Sequence, residues 1–281
     1  MSAAAPFVVM GVVNVTPDSF SDGGLYTDPR RAVAHGLELV AQGAGILDVG
    51  GESTRPGAEP VPVDVELGRV LPVVEGLAGV GAQLSVDTMK LPVARAALGA
   101  GASYVNDVTA FRGDPGMAAL VAEHGADCCL MHMLGEPRTM QREPRYDDVV
   151  SEVKAFLEER MAFAIAEGVP EASIQLDPGI GFGKTIAHNL ELLRRLGELA
   201  ALGRPLVIGV SRKAFLGRIT DRETGDRVAG TVAANVLALE RGARIFRVHD
   251  VAAVHDGLAV AAATLAASWP QTTTSRNTTT T

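Results

Sequence analysis

Short apolar runs alternate with longer amphipathic segments along almost the whole chain. The short runs each finish on a polar residue and lie at residues 7–14, 43–48, 83–87, 101–106, 125–132, 174–177, 206–211 and 242–247. Stretches with apolar residues at helical spacing lie at residues 29–42, 63–77, 91–98, 115–123, 148–167, 188–199, 226–241 and 251–267. This alternation of short strands and longer helices predicts right-handed crossovers and a parallel sheet.

Eight strand–helix units favour a closed barrel. A single (β/α)8 TIM barrel needs about 250 residues and places its active site at the carboxyl ends of the strands. A doubly wound open sheet is the alternative, but here even the runs that would form sheet edges end on polar residues. No linker divides the chain, so we expect one domain over residues 1–268 and a disordered Ser/Thr-rich tail over residues 269–281.

Composition narrows the classes of partner. Apolar residues make up 47% of the 281 residues, which indicates a large core, and the formal charge of −8 argues against nucleic acid and anionic membranes. Cys128 and Cys129 are adjacent and lack metal-ligand spacing, so we expect buried thiols in a reducing compartment. The chain has no basic leader and no charge-free run of about 18 residues, which favours a cytoplasmic protein without a membrane span.

A glycine-rich turn, Asp-Pro-Gly-Ile-Gly-Phe-Gly-Lys-Thr, follows the sixth run at residues 177–185. Three residues separate Gly179 from Gly183, one fewer than a P-loop needs, and G-x-G-x-G is not the spacing of a dinucleotide-binding turn. A carboxylate at a strand end, beside backbone that glycine lets approach closely, favours a ligand-facing lip. Taken alone, the turn could also be a connection without a ligand.

Polar residues end every strand of the expected barrel. They are Asn14, Asp48, Asp87, Asn106, His132, Asp177, Ser211, Arg247 and, two residues further on, His249. Each alone could cap a helix, but nine polar groups at one rim indicate an enzyme. Asp87, Asn106 and Asp177 suit the edge of a flat heterocycle with an exocyclic amine and a ring N–H. Lys213 could donate to such a ring, and Arg247 could stack on it or pair with phosphate.

Two polar loops marked by glycine and proline follow the first and second strands, at residues 14–24 and 50–58. Their candidate anchors are Phe20, Asp22, Arg55 and Pro56. Loops over a barrel mouth commonly exclude water before a reactive intermediate forms. The sequence offers no Ser–His or Cys–His signature of a nucleophilic enzyme.

Eight motifs occur in one order from residue 7 to about residue 250. They are Asn14-Val-Thr-Pro-Asp-Ser-Phe-Ser-Asp-Gly-Gly, Gly51-Glu-Ser-Thr-Arg-Pro-Gly, Ser85-Val-Asp-Thr, Asn106-Asp-Val, Met131-His-Met, Asp177-Pro-Gly-Ile-Gly-Phe-Gly-Lys, Ser211-Arg-Lys and Arg247-Val-His. This set resembles the motifs of the dihydropteroate synthase family. Asp107 is expected to cap the next turn. One departure follows it, Thr109-Ala-Phe, where the family usually has Ser-Gly-Gly, and this leaves the shape of that loop open.

The resemblance implies condensation of 6-hydroxymethyl-7,8-dihydropterin diphosphate with 4-aminobenzoate, giving 7,8-dihydropteroate and diphosphate in folate synthesis. The pterin would be held by Asp87, Asn106, Met131, Asp177, Phe182, Lys213 and Arg247. The diphosphate would be held by Asn14 through Mg²⁺, with added charge from Arg55, Arg247 and His249. The 4-aminobenzoate pocket would be formed by Phe20, Thr54, Arg55, Pro56 and Ser211. Catalysis would involve Asn14, Asp22, Lys213 and Arg247, and the implied assembly is a homodimer.

The chemistry implied is ionisation of the pterin C–O bond, with Asp22 near the developing positive charge, followed by attack of the arylamine. A related pterin-binding methyltransferase that serves a corrinoid partner is one alternative, but Arg55-Pro-Gly and Ser211-Arg-Lys favour the synthase. A catalytically silent paralogue that only binds pterin is another. Missing loop residues would favour it, but Asn14, Asp22 and Arg55 are all present.

Overall fold

The strands close into a parallel barrel in chain order. The computed structural model describes residues 6–16, 28–55 and 57–266. The strands are β1 Val8–Asn14, β2 Ile46–Gly50, β3 Gln83–Asp87, β4 Tyr104–Asp107, β5 Asp127–Met131, β6 Ile174–Asp177, β7 Leu206–Ile208 and β8 Ala243–Val248. Because β1 pairs with both β2 and β8, the predicted (β/α)8 barrel is confirmed and the open doubly wound sheet is excluded.

Helices connect the strands on the outside of the barrel. Within the described ranges they are α1 Pro29–Ala41, α2 Val63–Leu77, α3 Leu91–Gly99, α4 Met117–His124, α5 Val149–Ala166, α6 Ile186–Arg194, α7 Leu196–Ala200, α8 Ala214–Thr220, α9 Val228–Glu240 and α10 Val251–Leu265. The helix predicted at residues 63–77 has those bounds in the structure. None of these helices is long and apolar enough to cross a membrane.

Two helix predictions need correction. The single helix expected at residues 188–199 is divided at Arg195, which ends α6 and precedes α7 with φ −102° and ψ 21°. The Arg195 guanidinium donates to Asp148, 47 residues away, and to Glu198 in the next turn, so one tertiary and one local ion pair stabilise the break. Helix α8 is missing from the stretches identified by apolar spacing, since it is only seven residues long and contains Gly217. A side chain at Gly217 would meet the guanidinium of Arg227, which explains the glycine.

The barrel interior is filled by apolar side chains below the carboxyl ends of the strands. One buried layer contains Met10, Ile46, Tyr104, Cys129, Val207 and Ile245. The predicted burial of Cys128 and Cys129 is confirmed, and both thiols are free. Burial raises the pKa of both thiols, which keeps them protonated. A closed core of this kind leaves the upper rim of the barrel as the place for chemistry.

Candidate active site

The carboxyl ends of the strands surround a cavity of about 880 Å³, within the size range of small-molecule sites. Of the predicted site residues, the cavity is lined by Asn14, Thr54, Arg55, Asp87, Asn106, Met131, Asp177, Phe182, Ser211, Lys213, Arg247 and His249. The fold therefore brings residues from all eight strands or the loops after them to one mouth. The other predicted residues, Phe20, Asp22 and Pro56, lie outside the described residues.

A buried charge network forms one wall of this cavity. Arg247 donates from Nε to Asp48 Oδ2 (2.6 Å) and from Nη2 to Asp87 Oδ2 (2.7 Å). Asp48 also accepts from Ser85 Oγ at 2.6 Å and from Asn106 Nδ2 at 3.0 Å. Asp48 is fully buried and lies beneath the cavity, so its role is to hold Arg247 and Asn106 in place.

One guanidinium in this network faces two carboxylates. Burial and the nearby Asp48 charge raise the pKa of Asp87 to about 7, although Arg247 opposes this shift. Burial alone would lower the pKa of Arg247, but Asp48 and Asp87 together raise it above its usual range. Asp87 therefore shares its cation with Asp48. A ligand that donates hydrogen bonds to Asp87 would be favoured, because it gives this buried carboxylate a second partner.

Asp177 ends β6 and offers an acceptor to the cavity. Its Oδ1 accepts from the backbone N–H of Gly179 at 2.6 Å. Within the described part of the chain this is the carboxylate's one hydrogen bond, so Oδ2 is available to a ligand. Burial raises the pKa of Asp177, against the effect of the Gly179 hydrogen bond and the Lys213 charge.

Lys213 provides a cation beside this acceptor. Its Nζ lies 4.2 Å from the centre of the Phe182 ring, and it precedes α8 as the N-cap residue. Burial lowers the pKa of Lys213 to about 8, although the Asp177 charge opposes the shift. An ammonium above an aromatic face and near a carboxylate can donate to a polar ring held in the same place.

A contact between Ser211 and His249 was missed by the sequence analysis, which found no Ser–His signature. Ser211 Oγ lies 3.0 Å from His249 Nδ1 and accepts from the His249 backbone N–H at 3.1 Å. Burial and Arg247 lower the pKa of His249 to about 3, so the ring is neutral and a poor base. The adjacent carboxylate, Asp250, pairs with Arg212 instead of orienting the histidine. The pair therefore fixes two loop ends and does not form a nucleophile and base.

The base of the second loop is anchored by residues that were not predicted. Lys90 forms ion pairs with both Glu52 and the buried Glu66. Glu66 also accepts from Thr88 Oγ1 at 2.6 Å, and Glu52 from the Val61 N–H at 3.2 Å. Burial opposes the charge on Lys90, but the two glutamates raise its pKa. These contacts fix the segment that carries Thr54 and Arg55.

The loop after β4 departs from the family motif at residues that have left-handed backbone. Ala110 has φ 53° and Phe111 has φ 64°, a conformation that costs roughly 1–2 kcal/mol per non-glycine residue. Asp107 accepts from the N–H groups of Thr109 and Phe111, which confirms its predicted capping role. Phe111 is only 2% exposed, and Arg160 Nε donates to the Ala110 carbonyl at 2.9 Å. The loop therefore keeps a backbone suited to glycine, with packing that offsets the strain.

A closed parallel barrel with a charged cavity at the carboxyl ends of its strands is the architecture of a small-molecule enzyme. A family model described as pterin binding enzyme matches residues 10–249. The dihydropteroate synthase of Mycobacterium leprae is 50% identical over 268 residues, which cover 93% of this chain and 94% of that relative.

Solved structures give the same result. The dihydropteroate synthase of Yersinia pestis, in complex with a sulfonamide drug, has a TM-score of 0.89 at 43% identity and covers 92% of this chain and 94% of its own. That of Xanthomonas albilineans with 4-aminobenzoic acid has a TM-score of 0.86 at 52% identity over 92% and 93%. The same enzyme with 7,8-dihydropteroate has a TM-score of 0.82 at 49% identity over 92% and 94%. The chain belongs to the dihydropteroate synthases, a family of pterin binding transferases.

Proposed function

We propose that this enzyme condenses 6-hydroxymethyl-7,8-dihydropterin diphosphate with 4-aminobenzoate to give 7,8-dihydropteroate and diphosphate in folate biosynthesis. The observation that carries the proposal is the cavity itself, where Asp87 and Asp177 lie beside the cations Lys213 and Arg247. The Xanthomonas relative binds 4-aminobenzoic acid and 7,8-dihydropteroate, which supports the same arylamine and product here.

The proposed pterin subsite uses polar side chains that keep a hydrogen-bonding atom for the ligand. Asn106 donates from Nδ2 to Asp48, so its amide oxygen is free to accept from the ring. Asp177 Oδ2 would accept from the exocyclic amine and ring N–H, and Lys213 would donate to a ring acceptor. Met131 and Phe182 belong to one apolar cluster beside these groups and would cover the faces of the ring.

The reaction requires placed charges and no covalent intermediate on the protein. The bond between the pterin methylene carbon and the diphosphate oxygen breaks, and its electron pair leaves with the diphosphate. The pterin ring delocalises the resulting cation. The arylamine nitrogen then attacks this carbon, forms the C–N bond and loses a proton. Arg55, Arg247 and His249 line the cavity and would stabilise the departing diphosphate. Ser211 Oγ accepts from the His249 backbone N–H and can donate its own proton to Nδ1, and in that arrangement the neutral ring would donate from Nε2.

The 4-aminobenzoate pocket is proposed to include Thr54, Arg55 and Ser211, which line the cavity. Phe20 and Pro56 are assigned to it, and Asp22 to the developing positive charge, by resemblance alone. Because a sulfonamide drug binds the Yersinia relative, we expect sulfonamides to compete for this pocket.

Mg²⁺ is the proposed cofactor, bound jointly by Asn14 and the substrate diphosphate. Mg²⁺ keeps several waters and commonly takes one or two protein ligands together with substrate phosphates. Among the described residues, no group of three or more His, Cys, Asp or Glu side chains could hold a metal ion. Asn14, by contrast, lies at the end of β1 and lines the cavity. One amide oxygen fits an ion that enters with diphosphate, where it would neutralise charge on the leaving group.

Asn14→Ala should weaken binding of the diphosphate substrate roughly tenfold in the presence of Mg²⁺ and leave binding of free 6-hydroxymethylpterin unchanged. The expected loss reflects the missing metal ligand. Calorimetry with both ligands measures it. With Mg²⁺ chelated, the variant and the parent enzyme should bind the diphosphate substrate equally. Equal losses for both ligands would contradict a metal-linked role for Asn14.

An assay of diphosphate release tests the proposed reaction. Release should require both the pterin diphosphate and 4-aminobenzoate, and 7,8-dihydropteroate should appear in equal amount. Pterin binding without diphosphate release would identify a catalytically silent paralogue instead.

A homodimer and a cytoplasmic location complete the proposal. Several apolar side chains stay exposed on the packed pair α9 and α10, namely Leu237, Val260 and Leu265, and Val260 is 69% exposed. Buried free thiols fit a reducing compartment.

We place the contact between the two subunits on the exposed face of α9 and α10. Val260→Glu should therefore convert the dimer to a monomer in sedimentation experiments, because dimer formation would bury a carboxylate. Val65→Glu, on the exposed face of α2, is the matched control and should remain dimeric. A parent enzyme that sediments as a monomer would exclude the homodimer.

A further inference from the structure

Lys184 lies near the end of the glycine-rich turn after β6 and borders the same cavity, but its ammonium is bound by His132 and the Phe182 carbonyl. The side chain is 3% exposed. Its Nζ lies 2.9 Å from His132 Nδ1, 2.9 Å from the Phe182 carbonyl oxygen and 3.4 Å from the His132 carbonyl oxygen. The three donors of the ammonium thus have three acceptors, and none is left for a phosphate.

These contacts define the state of His132. Burial lowers the pKa of Lys184 to about 7, against the effect of the Asp177 charge. In its protonated form Lys184 can only donate, so His132 Nδ1 is then the unprotonated ring nitrogen and the ring proton lies on Nε2. Burial and the Lys184 charge lower the pKa of His132 to about 2, which agrees with a neutral ring. The ring also packs edge-on against Phe156, with centroids 4.8 Å apart, so its orientation is fixed from two sides.

The same contacts join two loops of the proposed pterin subsite. The His132 N–H donates to the Asp177 carbonyl oxygen at 3.0 Å, which extends the pairing of β5 with β6. The Phe182 N–H donates to the Gly179 carbonyl oxygen at 3.0 Å within the turn. Phe182 then presents its ring to Lys213 at 4.2 Å. Lys184 therefore fixes the backbone from which the Phe182 ring projects.

We propose that Lys184 is a positioning residue for pterin binding, which acts through His132 and the Phe182 carbonyl and does not contact the substrate. It holds the Phe182 ring beside Lys213 and keeps the turn against Asp177. This inference rests on the pterin subsite proposed above. Lys184 and His132 are 52 residues apart, so no local sequence motif links the two residues.

Lys184→Met tests the proposal, since it keeps the length of the side chain and removes every donor. We expect the KM for the pterin diphosphate to rise about tenfold, with kcat changed less than about threefold. Lys154→Met, on α5 and outside the cavity, is the matched control and should change neither constant. A fall in kcat with an unchanged KM would overturn the proposal, because it would place Lys184 in the chemical step.

Nitrogen NMR of the histidine rings gives a second readout that does not depend on activity. In the parent enzyme His132 should show a protonated Nε2 and an unprotonated Nδ1, and Lys184→Met should lose this fixed tautomer. A protonated Nδ1 in the parent enzyme would overturn the inference even if the variant fails to fold. Failure of the parent enzyme to release diphosphate would instead count against the proposed function. The His132 tautomer could still be measured, because the NMR experiment does not depend on activity.

Discussion

Asp177→Asn is expected to weaken pterin binding by roughly 10- to 100-fold, equivalent to about 1–3 kcal/mol for an unsatisfied buried donor. The fold should survive, because the asparagine oxygen can still accept from the Gly179 N–H, which lies 2.6 Å from Asp177 Oδ1. The other position becomes an NH₂ group that faces the pterin N–H donors. Calorimetry of pterin binding and thermal unfolding measure the two effects separately.

Asp127→Asn is the matched control for this variant. Asp127 begins β5 at the opposite end of the barrel and accepts from Gln83 Nε2 at 2.8 Å. The Asp127→Asn variant should bind pterin normally, since it changes no contact with the ligand. Near-normal pterin affinity in Asp177→Asn, or an equal loss in both variants, would show that Asp177 does not recognise the ring.

Gly179→Ala should lower the free energy of unfolding by several kcal/mol and abolish pterin binding. A Cβ at this position would lie 1.9 Å from the His132 carbonyl oxygen, and the residue has φ +65°, so both sterics and backbone oppose a side chain. Movement of the turn to relieve this contact would displace Asp177 and Phe182. Urea denaturation and pterin calorimetry measure the two losses.

Gly203→Ala separates the steric effect from the effect of backbone conformation. Gly203 has φ +78°, but a Cβ there would meet nothing within 4 Å. Its cost should be on the order of 1 kcal/mol, the usual cost of left-handed backbone for alanine. Equal destabilisation of the two variants would mean that the close approach of Gly179 to His132 is not required.

The fold could be predicted from the sequence because strand and helix periods are local. The runs at residues 83–87 and 174–177 coincide with β3 and β6 in the structure. The errors arise where tertiary contacts decide the backbone. Arg195 breaks a helix whose apolar period continues through it, since Leu192 and Leu196 are both buried.

The candidate site could be predicted in outline, because all strands of such a barrel deliver their last residues to one rim. What the sequence could not give is which polar residue faces the cavity and which supports a neighbour. Asp48 supports Arg247 from below, and His132 is bound by Lys184. The pairing of Ser211 with His249 was missed because 38 residues separate the partners and no local pattern links them.

The position of Arg247 in the chain has a consequence for the order of folding during synthesis. Arg247 follows Asp48 by 199 residues and Asp87 by 160 residues, yet it is the cation of both buried carboxylates. At ribosomal rates of about 5–20 residues per second, Arg247 is synthesised on the order of 10–30 s after Asp87. Burying either carboxylate before then would leave a charge unpaired, at a cost of several kcal/mol. We expect the nascent sheet to stay hydrated and open until β8 emerges. Closure of the barrel and neutralisation of the Asp48 and Asp87 charges would then occur together.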